Sequence, residues 1–282
     1  MSGGAEEGFK YEGLGNDFVV LDRRASGVDL SPETSRVLCD RRRGVGADGV
    51  LVLLPSTRAA VRMVVHNADG SLAEMCGNGL RCVVKHLLDR EPGRDALEVE
   101  TGAGVLPSRV RRAGAEVVEV EVELGPARLQ APHLPSGPGG GPFLSAPVPG
   151  LDWPATAVSM GNPHLVLLGA PPEVVREHGP RLEHLPGFPD RTNVEAVGRA
   201  GEGLRVTVWE RGSGLTDACG TGAAASVAAA VVAGWVPPDV FVPVDLPGGR
   251  LEVRVSADLR RTTLRGPARF VFRAELPEAL LD

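Results

Sequence analysis

A four-residue pattern occurs twice in this 282-residue chain, and it constrains the fold more than any other feature. Cys76-Gly77-Asn78-Gly79 comes first, and Cys219-Gly220-Thr221-Gly222 follows 143 positions later. Each precedes a run of helical character, Leu80 to Arg90 and Ala223 to Gly234. Glycines at these offsets open a helix start to close approach by another group. A thiol is an unusual residue to place there. The order strand, Cys turn, helix, strands recurs in both halves, so the chain reads as a distant internal duplication offering two matched thiols.

Elements fall between turn signals. Gly13-Leu14-Gly15-Asn16 reads as a turn before a strand at Phe18 to Leu21. Ser31-Pro32 has the cap and first-turn proline of a helix start, predicting a helix to about Arg42. Val50 to Leu54, Ala60 to His66, Ala96 to Thr101 and Val117 to Leu124 read as strands. Residues 131–150 are dense in Pro and Gly and read as a loop or hinge. Beyond them, strands are expected at Ala155 to Ser159, Leu165 to Leu168, Asn193 to Glu195, Leu204 to Glu210, Arg250 to Ala257 and Arg269 to Ala274. Pro172 to His178 reads as a short helix. The fold class is α+β, mostly antiparallel, with two helices apolar enough to be buried.

Composition narrows the function. Hydrophobic residues make up 43% and charged residues 23%, the balance of a globular protein. A net charge of −6 argues against nucleic acid as a partner. No apolar run reaches the roughly 18 residues of a membrane span. The start, MSGGAEEG, lacks the apolar stretch of a signal peptide and reads as a loose leader. Four cysteines are too few for a disulfide scaffold, and none has zinc-site spacing to a second Cys or a His. A cytoplasmic protein with a few special thiols is expected, with no metal and no cofactor motif. Cys39 and Cys82 sit among apolar neighbours and read as packing residues.

The paired turns have a chemistry. N–H groups at a helix start lack intrahelical partners, and the helix dipole adds partial positive charge. A carboxylate suits that nest. The same field favours thiolate, and the dipole alone would bring a thiol from ~8.5 to roughly 7–8. With one carboxylate held by both helix starts, Cys76 and Cys219 would lie on opposite faces of the adjacent carbon. One removes the α-proton and the other returns a proton, which inverts the centre. Charge spreading into the carboxylate is stabilised by the helix ends.

At these residues the chain resembles the diaminopimelate epimerases, from about Phe9 to Phe272. The motifs are KYEGLGNDFVVLD, NADGSLAEMCGNGLRC, GNPH at Gly161 to His164, TNVE at Thr192 to Glu195, and ERGSGLTDACGTGAAAS. The resemblance implies two pseudo-symmetric domains, each wrapping strands around a central helix. These are 1–125 plus 268–282, carrying Cys76, and 126–267, carrying Cys219. It implies cofactor-independent epimerisation of LL-2,6-diaminopimelate to the meso form, supplying lysine and cell-wall synthesis, by a homodimer. Cys76 and Cys219 would be the acid/base pair. Gly77, Asn78, Gly220 and Thr221 would offer helix-start N–H groups to the reacting carboxylate. Asn16, Asn67, Asn162, Asn193 and Arg211 would contact substrate. Glu210 would hold the distal ammonium, and His164 and Glu210 would tune the thiols. Many relatives carry Gln where Gly49 falls and Glu where Leu215 stands, so any contact at Gly49 would come from backbone.

Other readings remain at this stage. The same two-thiol fold could racemise another amino acid; Arg211 with Asn67 and Asn193 argues for a substrate with a second amino-acid end. A redox protein with a Cys76–Cys219 disulfide leaves the Gly turns and polar residues unexplained, and a non-enzymatic binding module would be favoured only by a Cys76→Ala variant that kept full turnover.

Overall fold

The computed structural model describes residues 6–73 and 75–281. The chain forms two compact units. The first holds the described residues up to Val122 together with those from Gly266 onward, and the second is Glu123–Arg265.

In the first unit, β1 (Glu6–Gly13) and β2 (Asn16–Asp22) form a hairpin, and α1 (Pro32–Cys39) leads to β3 (Gly49–Leu54). Then follow β4 (Val61–Asn67), β5 (Leu72–Ala73), α2 (Gly77–Leu88), β6 (Ala96–Thr101), β7 (Gly104–Ala113) and β8 (Glu116–Gly125). The final strand, β17 (Arg269–Leu276), pairs antiparallel with β1. Strands β2 and β3 pair in parallel, as do β4 and β6. The links β1–β2, β3–β4, β4–β5, β6–β7 and β7–β8 are antiparallel.

The second unit repeats this scheme element for element. Its order is β9 (Ala155–Ser159), β10 (Pro163–Leu168), α3 (Pro172–Leu182), β11 (Asn193–Ala200), β12 (Gly203–Glu210), β13 (Gly214–Thr216), α4 (Gly220–Val232), β14 (Val242–Leu246), β15 (Gly249–Val255) and β16 (Thr262–Gly266). Pairs β10–β11 and β12–β14 are parallel. Pairs β9–β10, β11–β12, β12–β13, β14–β15 and β15–β16 are antiparallel. Parallel neighbours need long crossovers, and in each unit a helix supplies the first and a Cys-turn helix the second.

Both Cys-turn helices are central. All twelve residues of α2 are buried, and it packs on β1, β2, β4, β6, β7 and β17. Helix α4 is Ala-rich and apolar all round, which only a buried helix can be; it packs on β9, β10, β11, β12 and β15. The outer helices cover the sheets from the other side. Leu38 of α1 joins Val19, Leu21, Val50 and Val52, and Val175 and Leu182 of α3 join Leu165, Leu167 and Val194. This is the α+β fold expected from the sequence.

Several local expectations shift. Helix α1 stops at Cys39 rather than Arg42, because Asp40 turns extended and its carboxylate accepts the N–H groups of Arg42 and Arg43 at 2.7 and 2.8 Å. Helix α3 continues past His178 through Pro180 to Leu182. Gly179 there faces the Trp209 indole, which a Cβ would meet at 2.7 Å. Strands β7, β14 and β16 carry little apolar signal, since β7 is Arg-rich and both β7 and β14 contain Pro. The expected loose leader is in part a strand: Glu6, Glu7 and Gly8 pair with Leu276, Glu275 and Ala274, while residues 1–5 lie outside the described residues. The Pro/Gly-rich stretch 131–150 is irregular as expected, but not a free hinge, because Leu134, Phe143 and Val148 pack into the second core.

Candidate active site

Cys76 and Cys219 are the N-cap residues of α2 and α4. Their backbones are extended in the same way, with φ −136°, ψ 113° and φ −123°, ψ 112°. Each sulfur accepts the N–H three residues on, from Gly79 at 3.4 Å and from Gly222 at 3.3 Å. A thiol thus does the work normally given to Ser or Asp. The glycines are needed for contact behind the turn. A Cβ on Gly79 would stand 2.9 Å from a Leu51 methyl, and one on Gly222 3.0 Å from Oε1 of Glu195. All four cysteines are free thiols.

The surroundings of the two thiols correspond position by position. Phe18 pairs with Gly49 across β2 and β3, and His164 with Asn193 across β10 and β11. By that register Asn16 corresponds to Asn162, Phe18 to His164 and Leu51 to Glu195, and by its place two residues after the N-cap Asn78 corresponds to Thr221. In the first unit, Asn78 Nδ2 donates to Asn16 Oδ1 at 3.3 Å, and the Cys76 thiol donates to the same oxygen at 3.8 Å. Asn16 Nδ2 donates to Asp48 at 2.8 Å. In the second unit, Asn162 Nδ2 donates to Thr221 Oγ1 at 3.4 Å, and Thr221 Oγ1 lies 3.5 Å from the Cys219 sulfur.

What lies behind each relay differs. In the second unit a buried ion-pair geometry is present, with His164 Nδ1 2.6 Å from Glu195 Oε1 and His164 Nε2 3.0 Å from Asn162 Oδ1. Both side chains are fully buried. Burial pushes the Glu195 carboxyl up, and His164 holds it down. In the first unit the corresponding positions are Phe18 and Leu51. Behind Asn78 stands instead Arg81, whose Nη2 donates to Asn78 Oδ1 at 2.8 Å.

Glu210, at the end of β12, accepts from Thr216 Oγ1 at 2.6 Å, and the Cys219 thiol is among the groups that act on its carboxyl. Burial pushes its carboxyl up. Burial also pushes the Cys219 thiol well up, and Glu210 adds to this, against the pull of Thr221 and the Gly222 N–H. The helix start therefore does not by itself bring Cys219 near neutrality, because desolvation outweighs the dipole. Cys39 is pushed up to about 11, again by burial, and Cys82 is fully buried. Both suit packing roles.

The remaining candidates are placed within their units. Asn67 ends β4, and its Nδ2 donates to Ser71 Oγ at 2.9 Å. Asn193 is buried, with Nδ2 donating to Pro163 O at 2.9 Å and Oδ1 accepting the Arg211 N–H at 2.9 Å. Its amide is thus occupied by main chain, and it fixes where Arg211 begins. The Arg211 guanidinium donates to Asp190 O at 3.0 Å. Gly49 leaves no space for a side chain, since a Cβ would stand 2.7 Å from His66 O. Leu215 is exposed on β13 opposite Trp209. Glu195 and Arg81 carried no assignment from sequence. A Glu inside the apolar run Val194 to Val197, and an Arg one turn into a buried helix, were the available signals.

Among the described residues no cluster of three His, Cys, Asp or Glu side chains could hold a metal ion. Among the described residues no helix is long and apolar enough to cross a membrane.

The family model described as diaminopimelate epimerase matches residues 8–130 and 156–271. A diaminopimelate epimerase of Synechococcus sp. (strain JA-3-3Ab) is 44% identical, covering 95% of this chain and 97% of the relative. One from Desulfitobacterium hafniense is 42% identical, covering 97% and 99%. Among solved structures, a phenazine biosynthesis protein of the PhzF family from Bacillus anthracis matches with TM-score 0.72 at 18% identity, covering 96% of this chain and 99% of that one. A hydroxyproline epimerase from Agrobacterium vitis matches with TM-score 0.71 at 15% identity, covering 95% and 90%. These structures share the fold. With its two Cys-capped helix starts and relatives of this identity over nearly its whole length, the chain belongs to the diaminopimelate epimerase family.

Proposed function

We propose that the protein epimerises LL-2,6-diaminopimelate to the meso form, without a cofactor, using Cys76 and Cys219 as the acid/base pair. The observation that carries the reading is the pair of equivalent thiol-capped helix starts in a chain of this family. Inversion at an α-carbon needs a proton removed from one face and another delivered to the opposite face. The first N–H groups of α2 and α4, at Gly77, Asn78, Gly220 and Thr221, are suited to hold the adjacent carboxylate. In the reverse direction the thiols exchange roles.

Asn16 and Asn162 orient beside the thiols, and Asn67 and Arg211 grip the distal amino-acid end. An Arg fork matches a carboxylate with two parallel hydrogen bonds. Asn193 contributes by holding Arg211. Glu210 serves both as the anionic partner of an ammonium and as the tuning group beside Cys219, together with His164. The product would supply lysine and cell-wall synthesis. Incubation with LL-diaminopimelate in deuterated water tests this: α-deuterium incorporation with formation of the meso isomer is expected, and no incorporation overturns it.

We further infer a cytoplasmic homodimer. Free thiols suit a reducing compartment. Phe270, Val271 and Phe272 are large exposed apolar residues on β17. Two copies of β17 pairing antiparallel about Phe272 would cover them and bring Arg269 opposite Glu275. Light scattering on the protein and on Phe272→Glu checks it; an unaltered mass in the variant sinks the β17 interface.

A further inference from the structure

We propose that Arg81 is the positioning residue that makes Cys76 the thiolate of the pair in the resting protein and leaves Cys219 the thiol. The proposal deepens the two-thiol reading by assigning each cysteine its starting protonation state.

Arg81 is a fully buried guanidinium on α2, five residues after Cys76. Its nitrogens donate to Pro267 O at 3.0 Å, to Gly77 O at 3.4 Å and to Asn78 Oδ1 at 2.8 Å. These are dipoles, not charges. Among the described residues no carboxylate forms an ion pair with it. A cation in such a place is costly unless something nearby carries negative charge. Arg cannot shed its proton to escape, so the group that adjusts is the titratable one.

The charged groups around it leave Cys76 as that group. On β1, Glu12 is engaged by Arg269 of β17 at 2.9 Å and by the Gly15 N–H at 3.0 Å. Also on β1, Lys10 pairs with Asp17 of β2, which Arg41 meets at 2.7 Å. Asp48, before β3, pairs with Arg41 at 2.9 Å. On α2 itself, burial pushes the Cys82 thiol far up, so it stays neutral. Burial pushes Arg81 down, and negative charge on Cys76 is among the influences that hold it up.

Arg81 also fixes the relay. Only an oxygen can face a guanidinium N–H, so Asn78 must turn its Nδ2 to Asn16. The carbonyl of Asn16 then faces the sulfur at 3.8 Å, a long contact with a neutral acceptor that opposes thiolate only weakly. The Gly79 N–H and the full charge of Arg81 act in the opposite sense.

The second unit inverts each term. The position five residues after Cys219 is Ala224, fully buried and uncharged. In place of Leu51 stands Glu195, and the charge of Glu210 bears on the thiol. One helix start is therefore built around a cation, and the other around two carboxyls, one of them held by His164.

The test reads thiols, not turnover, so it stands or falls apart from the substrate assignment. The full chain is alkylated with iodoacetamide across a pH series, and each cysteine is quantified by peptide mass. The titration midpoint, rather than the rate, removes the effect of access. The Cys76 midpoint is expected below that of Cys219. Arg81→Met should raise the Cys76 midpoint by about one pH unit or more, as a charge acting through an effective dielectric of about 20 would. Arg81→Lys should keep most of the shift, and neither variant should move Cys219. If Arg81 merely ties α2 to Pro267, a folded Arg81→Met leaves the Cys76 midpoint in place, and the proposal fails. It fails equally if unaltered protein gives a Cys76 midpoint at or above that of Cys219, an outcome that needs no variant to fold.

Discussion

Gly222 and Glu195 are in contact through a missing side chain: the carboxylate oxygen occupies space that a Cβ at Gly222 would reach at 3.0 Å. In the first unit the same relation joins Gly79 to a Leu51 methyl. The second unit has therefore exchanged an aliphatic contact for an ionisable one directly beneath a thiol. Gly222→Ala must push on the His164–Glu195 pair, which has no slack at 2.6 Å. A fall in turnover of about tenfold or more is expected, equivalent to ~1.4 kcal/mol of lost transition-state stabilisation. Gly79→Ala meets only a movable leucine end and should cost less. Steady-state kinetics on both variants decides it.

The correspondence of His164 with Phe18 and of Glu195 with Leu51 yields a sharper expectation. Glu195→Leu alone leaves a buried imidazole without its partner, and should destabilise by about 3–5 kcal/mol. The double variant His164→Phe/Glu195→Leu restores the apolar pair of the first unit. Its stability should return to within about 1 kcal/mol of the parent or exceed it, while turnover remains low. Urea unfolding beside activity reads both. A double variant as unstable as the single one would show that the two sites are not equivalent in packing.

Removing either working thiol should be far more damaging than removing either packing thiol. Cys76→Ala and Cys219→Ala should each lower α-proton exchange by about 10²–10⁴-fold, the usual range for a positioned acid or base. Cys39→Ser, at the end of α1, should leave exchange within about twofold, a change worth ~0.4 kcal/mol. Mass-spectrometric deuterium uptake on all three gives the comparison.

Arg211→Ala should lower kcat/KM for diaminopimelate by about 10²-fold or more, as loss of a charge-assisted fork implies. Folding should be little affected, since among the described residues the guanidinium makes only an exposed bond to Asp190 O. Asn193→Ala should show a weaker kinetic defect with a larger loss of stability, because its amide satisfies buried main chain. If the two variants ranked the other way, Asn193 rather than Arg211 would be the group that meets substrate.

Stability should fall with acid well before the carboxylates titrate. Burial lowers His86 to about 4, with Arg90 adding to it, and its ring is edge-on to Phe9 and Tyr11. The unfolded chain takes up this proton near 6.5, so between about 6.5 and 4 the unfolded state binds more protons and stability drops as pH falls. The loss reaches about 3 kcal/mol at the bottom of that window. His86→Phe should flatten the slope, and unfolding midpoints across the window measure it.

Much of this was legible in the residues. Gly-polar-Gly after a Cys placed both helix starts, because few other arrangements need glycine at both offsets. Most strands with continuous apolar runs were found, but β1 and the short β5 and β13 were not. Strands β7, β14 and β16 were not, because they rest on backbone pairing with little apolar signal of their own. The thiol field was only half legible. The helix dipole is local and follows from sequence, but desolvation at Cys219 and the charges of Arg81, Glu195 and Glu210 arise from strands and helices brought together by folding. Equivalence between Leu51 and Glu195 cannot be seen by aligning types, since nothing in an aliphatic residue announces a carboxyl partner.

The pairing of β1 with β17 has a bearing on how the chain is made. Strand β1 precedes the whole of the second unit along the chain, yet one of its two hydrogen-bonding neighbours, β17, follows that unit. The segment Glu123–Arg265 has all of its own strands in one continuous stretch. Synthesis thus delivers every strand of the second unit while the first still has an open edge and a long loop to close. The later-made half should mature first, and the earlier-made half should depend longest on protection from aggregation.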